Sequence, residues 1–337
     1  MELLQTRIER FLRTSEGDFD ALSLELFRYQ FEFNRPYRAY CEAQDLTLES
    51  VSRWQDIPAV PIGAFKSAEL VTFPVGRAAA TFESSATTTG VPSRHYLKDM
   101  RYYETALKTS FEKWVLPSQN VGVKYSFLIL TPAPAESPRS SLSWMMDVVK
   151  RTWGGPDSTY FVHRGRLDEP RLVRYLRKAE ESKQPVVLLG TTIAFLGFYE
   201  YCRTKALTFD LRADSRLMDT GGMKTQKREV SRSDFLRQTT EILGIPENEC
   251  VNEYGMCELG SQFYGRGVSS YLEGPPWTRT LVMEGHLRHF DLANVDSVLA
   301  IQTEDLGIMQ GQGFVFQGRD PEATVKGCSL SAEAFLR

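Results

Sequence analysis

The densest concentration of chemistry-bearing side chains is the run Thr81 to Ser93, TFESSATTTGVPS. Six of the seven residues from Ser84 to Gly90 are Ser, Thr or Gly. Hydroxyl donors and unencumbered backbone N–H groups gathered around one point suit phosphate oxygens. The run lacks the spacing of a Walker A loop and of a dinucleotide-binding turn. Taken alone it also has the composition of a plain surface connection.

Three further stretches could complete a nucleotide site. Asp219-Thr-Gly-Gly-Met-Lys224 carries a double glycine, Gly221 and Gly222, which permits close backbone approach to a flat ligand and equally well makes a turn. Asn252-Glu-Tyr-Gly-Met-Cys-Glu258 places an amide, an aromatic ring, Gly255 and a carboxylate close together. Asn252 and Tyr254 could hold a base, and Glu258 could offer hard oxygen to a magnesium ion. Gln302-Thr-Glu-Asp-Leu-Gly307, followed by Gly318-Arg-Asp320, supplies Asp305 and Arg319 as candidates for ribose hydroxyls. Each stretch has an ordinary reading as a turn.

These residues need elements to position them. Leu22, Leu24, Phe27, Phe31 and Phe33 have apolar helical spacing, so Glu2 to about Glu49 is predicted helical. The prolines of Ile57-Pro-Ala-Val-Pro61 end that pattern. Tyr125–Leu130 and Pro185–Gly190 read as buried strands, with an amphipathic helix over Leu167–Lys183 between them. The second strand leads into a helix-like run through Tyr201. Its start, Thr191-Thr-Ile-Ala-Phe-Leu-Gly-Phe198, could line an acyl pocket or pack as core. The Pro/Ser stretch Thr131–Ser141 is expected to be a mobile loop. Strands alternating with helices predict an α/β fold with mixed, largely parallel sheets flanked by helices.

The chain has 337 residues, 42% hydrophobic and 25% charged, with a net charge of −3, which is ordinary globular composition with no electrostatic call for nucleic acid. No window is apolar enough for a membrane span, and the amphipathic start does not read as a signal peptide. Five scattered cysteines, without a C-x-x-C pair, argue against a disulfide framework or zinc site and for a cytoplasmic location. Four histidines form no metal pattern, although His286 and His289 lie close in sequence.

The order of the motifs is more specific than any one of them. The hydroxyl loop, the double glycine, N-x-Y-G-x-x-E, T-x-D and G-R-D together resemble the adenylate-forming (ANL) superfamily. Ser84–Ser93 resembles its S-G-T-T-G-x-P-K signature, with Ala86 and an extra Thr in the loop and Ser93-Arg94 where lysine is usual. Asn252–Glu258 resembles N-x-Y-G-x-T-E, with Cys257 in the place of threonine. Within the superfamily the chain is most similar to the LuxE-type acyl-protein synthetases. The residues that carry this are Ile57–Lys66, Gly221-Gly-Met-Lys224 and the ending Val325-Lys-Gly-Cys-Ser-Leu330. The resemblance implies a single adenylate-forming domain over 1–337. It would open on a helical segment, 1–56, and close on a short tail, 318–337, in place of a lysine-bearing C-terminal domain.

What the resemblance implies is activation of a carboxylic acid, expected to be a fatty acid, as acyl-AMP with ATP and Mg²⁺, then transfer to a protein thiol. Ser84, Ser85, Thr87, Thr88, Thr89 and Gly90 would cradle phosphates, and Glu258 would hold the metal. Gly221, Gly222, Asn252, Tyr254, Gly255 and Cys257 would surround the base, with Asp305 and Arg319 on the ribose. Lys224, or failing that Lys326, would stand in for the absent lysine. Cys328, beside Lys326, would be the acylated thiol. An acyl carrier protein or reductase would be the partner. An acyl- or aryl-CoA ligase of the phenylacetate-CoA ligase type, or a scaffold subunit keeping the fold, are the alternatives.

Overall fold

The computed structural model describes residues 3–84, 90–116, 125–211, 214–221, 230–269 and 271–321. The chain divides into two compact units. One comprises Met1–Thr109, Met256–Gln262 and Glu273–Arg337, and the other Ser110–Gly255 and Phe263–Leu272.

The first unit opens with α1 (Leu4–Thr14), α2 (Phe19–Phe33) and α3 (Arg35–Glu42). Asp18 and Asn34 cap α2 and α3 by accepting from the Ala21 and Tyr37 amides. Leu22, Leu26 and Phe27 face the core, whereas Phe33 is exposed and stacks obliquely on Tyr29 instead. Tyr37 and Tyr40 hydroxyls donate to the Pro58 and Ala59 carbonyls, so the helices grip the proline-rich segment through backbone groups that no sheet takes up. That segment forms β1 (Val60–Pro61). A hairpin of β2 (Ala80–Glu83) and β3 (Arg94–Leu97) follows, with Phe82 opposite His95 and Glu83 opposite Arg94. Helix α4 (Met100–Trp114) spans the boundary to the second unit.

The second unit is built on parallel strands: β4 (Ser126–Pro132), β5 (Thr159–His163), β7 (Val186–Thr191), β8 (Arg216–Thr220) and β9 (Cys250–Tyr254). Short antiparallel strands β6 (Arg166–Leu167) and β10 (Phe263–Arg266) complete the sheet, whose order is β10-β9-β8-β7-β4-β5-β6. The unbroken apolar runs Phe127–Leu130 and Val186–Leu189 are buried on both faces, as parallel strands require. Helices α6 (Glu169–Ser182), α7 (Thr192–Thr204) and α8 (Arg232–Leu243) pack on the face of Leu128, Leu130 and Leu188. Phe127, on the opposite face, meets Phe111, which stacks on Trp153 of α5 (Ser141–Trp153). The Pro/Ser stretch expected to be mobile is instead a fastened turn. The Glu136 carboxylate accepts from the Arg164 amide at 2.6 Å, and Ser140 caps α5. The two-residue β11 (Tyr271–Leu272) ends this unit.

The first unit resumes with β12 (Thr278–Met283), β13 (His286–Asp291), β14 (Ala300–Gln310) and β15 (Gly313–Arg319), an antiparallel succession. The long β14 pairs with β1 at Ile301 and Gln302 and with β15 from Asp305 onward. Among the described residues no helix is long and apolar enough to cross a membrane.

Candidate active site

In the first unit the hydroxyl run begins on β2 and leads to β3, its hairpin partner. Its root is closed by two hydrogen bonds, Ser93 N–H to Ser84 Oγ at 2.9 Å and Ser84 N–H to the Ser93 carbonyl at 3.2 Å. Gly90 takes a φ of +73°, a turn conformation that a side chain disfavours. Ser85, Thr87, Thr88 and Thr89 lie outside the described residues.

Glu258 belongs to this root. It is 4% exposed, and the Ser93 and Cys257 side chains hydrogen-bond its carboxylate. Its pKa is raised, chiefly because burial penalises the charged form; those hydrogen bonds and the field of Arg319 oppose the rise. Among the described residues no cation lies within ion-pair distance of it. The backbone here is clamped from two sides. His95 Nδ1–H donates to the Cys257 carbonyl at 2.8 Å, and Asn294 Nδ2 donates to the Glu258 carbonyl at 3.0 Å. Burial lowers the His95 pKa to about 4, so this imidazole is neutral and structural at neutral pH, seated edge-on against Phe65. The Asn294 loop is in turn fastened to α2. Gln30 Nε2 donates to the Asn294 and Val295 carbonyls, and Gln30 Oε1 accepts from the Leu299 amide at 2.8 Å.

Asp305 and Arg319 are cross-strand neighbours on β14 and β15, which the sequence separation of these residues did not reveal. Arg319 forms its ion pair with Glu304, and also feels Asp305 and Glu258 electrostatically. Gly318, at φ +109°, precedes it within β15, opposite Leu306 where the strand register shifts. Ser84, Glu258, Asp305 and Arg319 are thus parts of one unit. The carboxylate of Glu258, buried and lacking a neutralising partner among the described residues, has the chemistry to bind a divalent cation together with phosphate oxygens.

In the second unit the remaining candidates sit at the carboxyl ends of parallel strands, where open α/β sheets bind ligands. Asp219 and Asn252 are register partners on β8 and β9. Asp219 is fully buried, and its carboxylate accepts from Arg232 Nη1 (2.5 Å), Thr192 Oγ1 (2.9 Å) and Asn252 Nδ2 (3.1 Å). Gly221 follows with φ +89°. Tyr254, 9% exposed, packs edge-on to Phe263, and Gly255 is exposed beyond it. Glu253 is buried and accepts from Thr220 Oγ1; desolvation pushes its pKa up to about 7. Thr191–Phe198 is largely core, with Phe195 and Phe198 fully buried, while Ile193 at the start of α7 is 54% exposed. Gly222 and Lys224 fall outside the described residues, as do Lys326 and Cys328.

The sequence motifs assign no role to Ser93, His95, Asn294, Asp219 or Arg232. Asp219 lies inside the double-glycine stretch already singled out, so the available signal was an acidic residue directly after the apolar pair Leu217-Met218. Arg232 and Asn294 carried none, because their importance comes from partners distant in sequence.

The family model described as "Acyl-protein synthetase, LuxE" matches residues 13–265. No curated protein matches the chain. Among solved structures, 2-hydroxyisobutyryl-CoA ligase in complex with 2-HIB-AMP and CoA, in the thioesterification state, is similar with a TM-score of 0.63 at 15% identity. That match covers 92% of this chain and 70% of the ligase. The open conformation of the same ligase gives 0.61 at 15% identity, covering 89% and 69%. McyG A-PCP complexed with phenylalanyl-adenylate gives 0.51 at 15% identity, covering 74% of this chain and 48% of that one. At such identity the likeness shows a shared fold.

Proposed function

Because the chain belongs to the LuxE acyl-protein synthetase family and is an acyl-adenylate-forming enzyme, we propose that it activates a fatty acid with ATP and passes the acyl group to Cys328. The observation that carries the activation half is the buried carboxylate of Glu258 at the root of the hydroxyl hairpin. Bound Mg²⁺ would offset the negative charge that accumulates on the reacting phosphates. Glu258 would hold that ion, and burial would keep competing water away from the carboxylate. Ser84 and Gly90, with Ser85 and Thr87–Thr89, would donate hydroxyl and amide hydrogens to the β- and γ-phosphates. Asp305 would accept from the ribose hydroxyls, with Arg319 holding its strand partner in place. Gly221, Gly222, Asn252, Tyr254, Gly255 and Cys257 would form the base site, and Lys224 would bring positive charge toward the α-phosphate.

In the first step a carboxylate oxygen bonds to the α-phosphorus as the bond to pyrophosphate breaks, leaving acyl-AMP. In the second, a thiolate attacks the acyl carbonyl and AMP leaves, giving a thioester. Four of the five cysteines are ill suited to that attack. Cys41, Cys202, Cys250 and Cys257 are all buried, and desolvation raises each thiol pKa, to about 12, 11 and 12 for the first three and further for Cys257. This supports Cys328 by elimination, with a carrier protein or reductase as the onward acceptor.

Incubation with ATP, Mg²⁺ and radiolabelled fatty acid should leave a hydroxylamine-labile label on the protein that Cys328→Ser abolishes. A label that survives the substitution, or transfer only to free coenzyme A, would refute the acceptor assignment.

A further inference from the structure

The buried carboxylate of Asp219 has a consequence for the base site that rests on the nucleotide reading above. We infer that Asp219 determines nucleobase specificity, by fixing the Asn252 side chain with its carbonyl oxygen toward the base and thereby selecting adenine over guanine.

Asn252 Nδ2 lies 3.1 Å from Asp219 Oδ2 and 3.4 Å from the Asp219 carbonyl oxygen. Both atoms can only accept. A rotated amide would set Asn252 Oδ1 against two oxygens, losing the hydrogen bond and adding repulsion. The orientation is therefore dictated by chemistry rather than by the ambiguity usual for amide groups. The carboxylate cannot swing away to relieve this. Arg232 Nη1 holds its Oδ1, and Thr192 Oγ1 shares its Oδ2. Arg232 is anchored in turn by the Gly267 carbonyl at 3.2 Å and lies over the Phe235 ring. Thr192 belongs to the first turn of α7 and Arg232 to the first turn of α8, so the acceptor is fixed from two separate helices.

No described hydrogen bond reaches Asn252 Oδ1, and the residue is partly exposed. Its outward group is therefore an acceptor. Adenine presents an amino donor at its 6-position, where guanine presents a carbonyl acceptor. The first complements Asn252 Oδ1, and the second is repelled by it.

Asp219→Asn reverses this logic. The new amide keeps its oxygen on Arg232, which needs an acceptor, and so turns its NH₂ toward Asn252. Asn252 then reverses, offering its own NH₂ to the base. Calorimetric titration of the full chain with ATP and with GTP, without acid substrate, reads the effect. Wild type should prefer ATP, and Asp219→Asn should lower the ATP-to-GTP affinity ratio by roughly tenfold or more, largely by gaining GTP. General damage would weaken both nucleotides alike and leave the ratio alone. Should the uncompensated Arg232 charge prevent folding, Asp219→Ala combined with Arg232→Met removes both charges, leaves the Asn252 amide without the acceptor that orients it, and should still lower the ratio. A folded variant that keeps the wild-type ratio overturns the inference. If Asn252→Ala erases the preference while the Asp219 variants retain it, the inference alone fails; wild type that binds neither nucleotide overturns the nucleotide reading with it.

Discussion

The proposed thiol acceptor can be isolated by chemistry that needs no substrate. At about pH 7.5 an ordinary cysteine of pKa ~8.5 is roughly one-tenth thiolate. With its thiol pushed up to about 11, Cys202 is ionised in roughly one molecule in three thousand; Cys41 and Cys250, at about 12, are ionised in roughly one in thirty thousand. A more basic thiolate is intrinsically more nucleophilic, which returns about ten- to fortyfold across these shifts. The net handicap against alkylation is then roughly 20- to 100-fold before the shielding of the side chains is counted. Limited iodoacetamide treatment of the folded protein, followed by intact mass measurement, should therefore add a single carbamidomethyl group. Peptide mapping should place it on Cys328, and Cys328→Ser should take up none over the same interval. Two or more adducts forming at similar rates, or a single adduct on one of the four buried thiols, would refute the reasoning from burial. No adduct at all on native wild type would refute Cys328 as a reactive thiol.

Glu258→Gln should lower acid-dependent exchange of pyrophosphate into ATP by about 100-fold or more, since it removes the metal-binding charge. Because burial opposes ionisation of Glu258, the same change should leave the melting temperature equal or higher. Glu253 makes stability pH-dependent. Its folded pKa of about 7 lies above the ordinary 4.5, so its contribution is fully present below pH 4.5 and is lost as pH rises to about 7. The loss is at most about 3 kcal/mol. Glu253→Gln keeps an acceptor for Thr220 and should be more stable than wild type in urea at about pH 8 but not at about pH 4.5. Gln30→Ala leaves two buried carbonyls and one amide of the 294–299 loop without their partner. It should cost about 2–5 kcal/mol in urea unfolding. It should also weaken exchange, because Asn294 positions the Glu258 backbone.

The sequence revealed what is local and periodic. The helical start, the apolar strands β4 and β7, and helices α6 and α7 follow from runs whose period is visible in the chain. The candidate residues came from motif order, and most of those described cluster at strand ends or beside the β2–β3 hairpin. Hidden from the sequence were partnerships across long separations: Gln30 with the 294–299 loop, His95 with Cys257, and Asp305 opposite Arg319. Each depends on sheet register or helix docking, and neither leaves a periodic trace. Phe33 fits the apolar period of α2 yet is exposed and lies against Tyr29, although Gln30 and Asn34 beside it are buried.

The central claim is that this chain spends ATP to activate an acid. Pyrophosphate exchange into ATP, measured with wild type, Mg²⁺ and a panel of long-chain, short-chain and aromatic acids, tests it most directly. Exchange should be absent without acid and rise with at least one member of the panel, strongest with a fatty acid. A folded, nucleotide-binding protein that exchanges with none of them would contradict the account and leave the fold in the role of a scaffold.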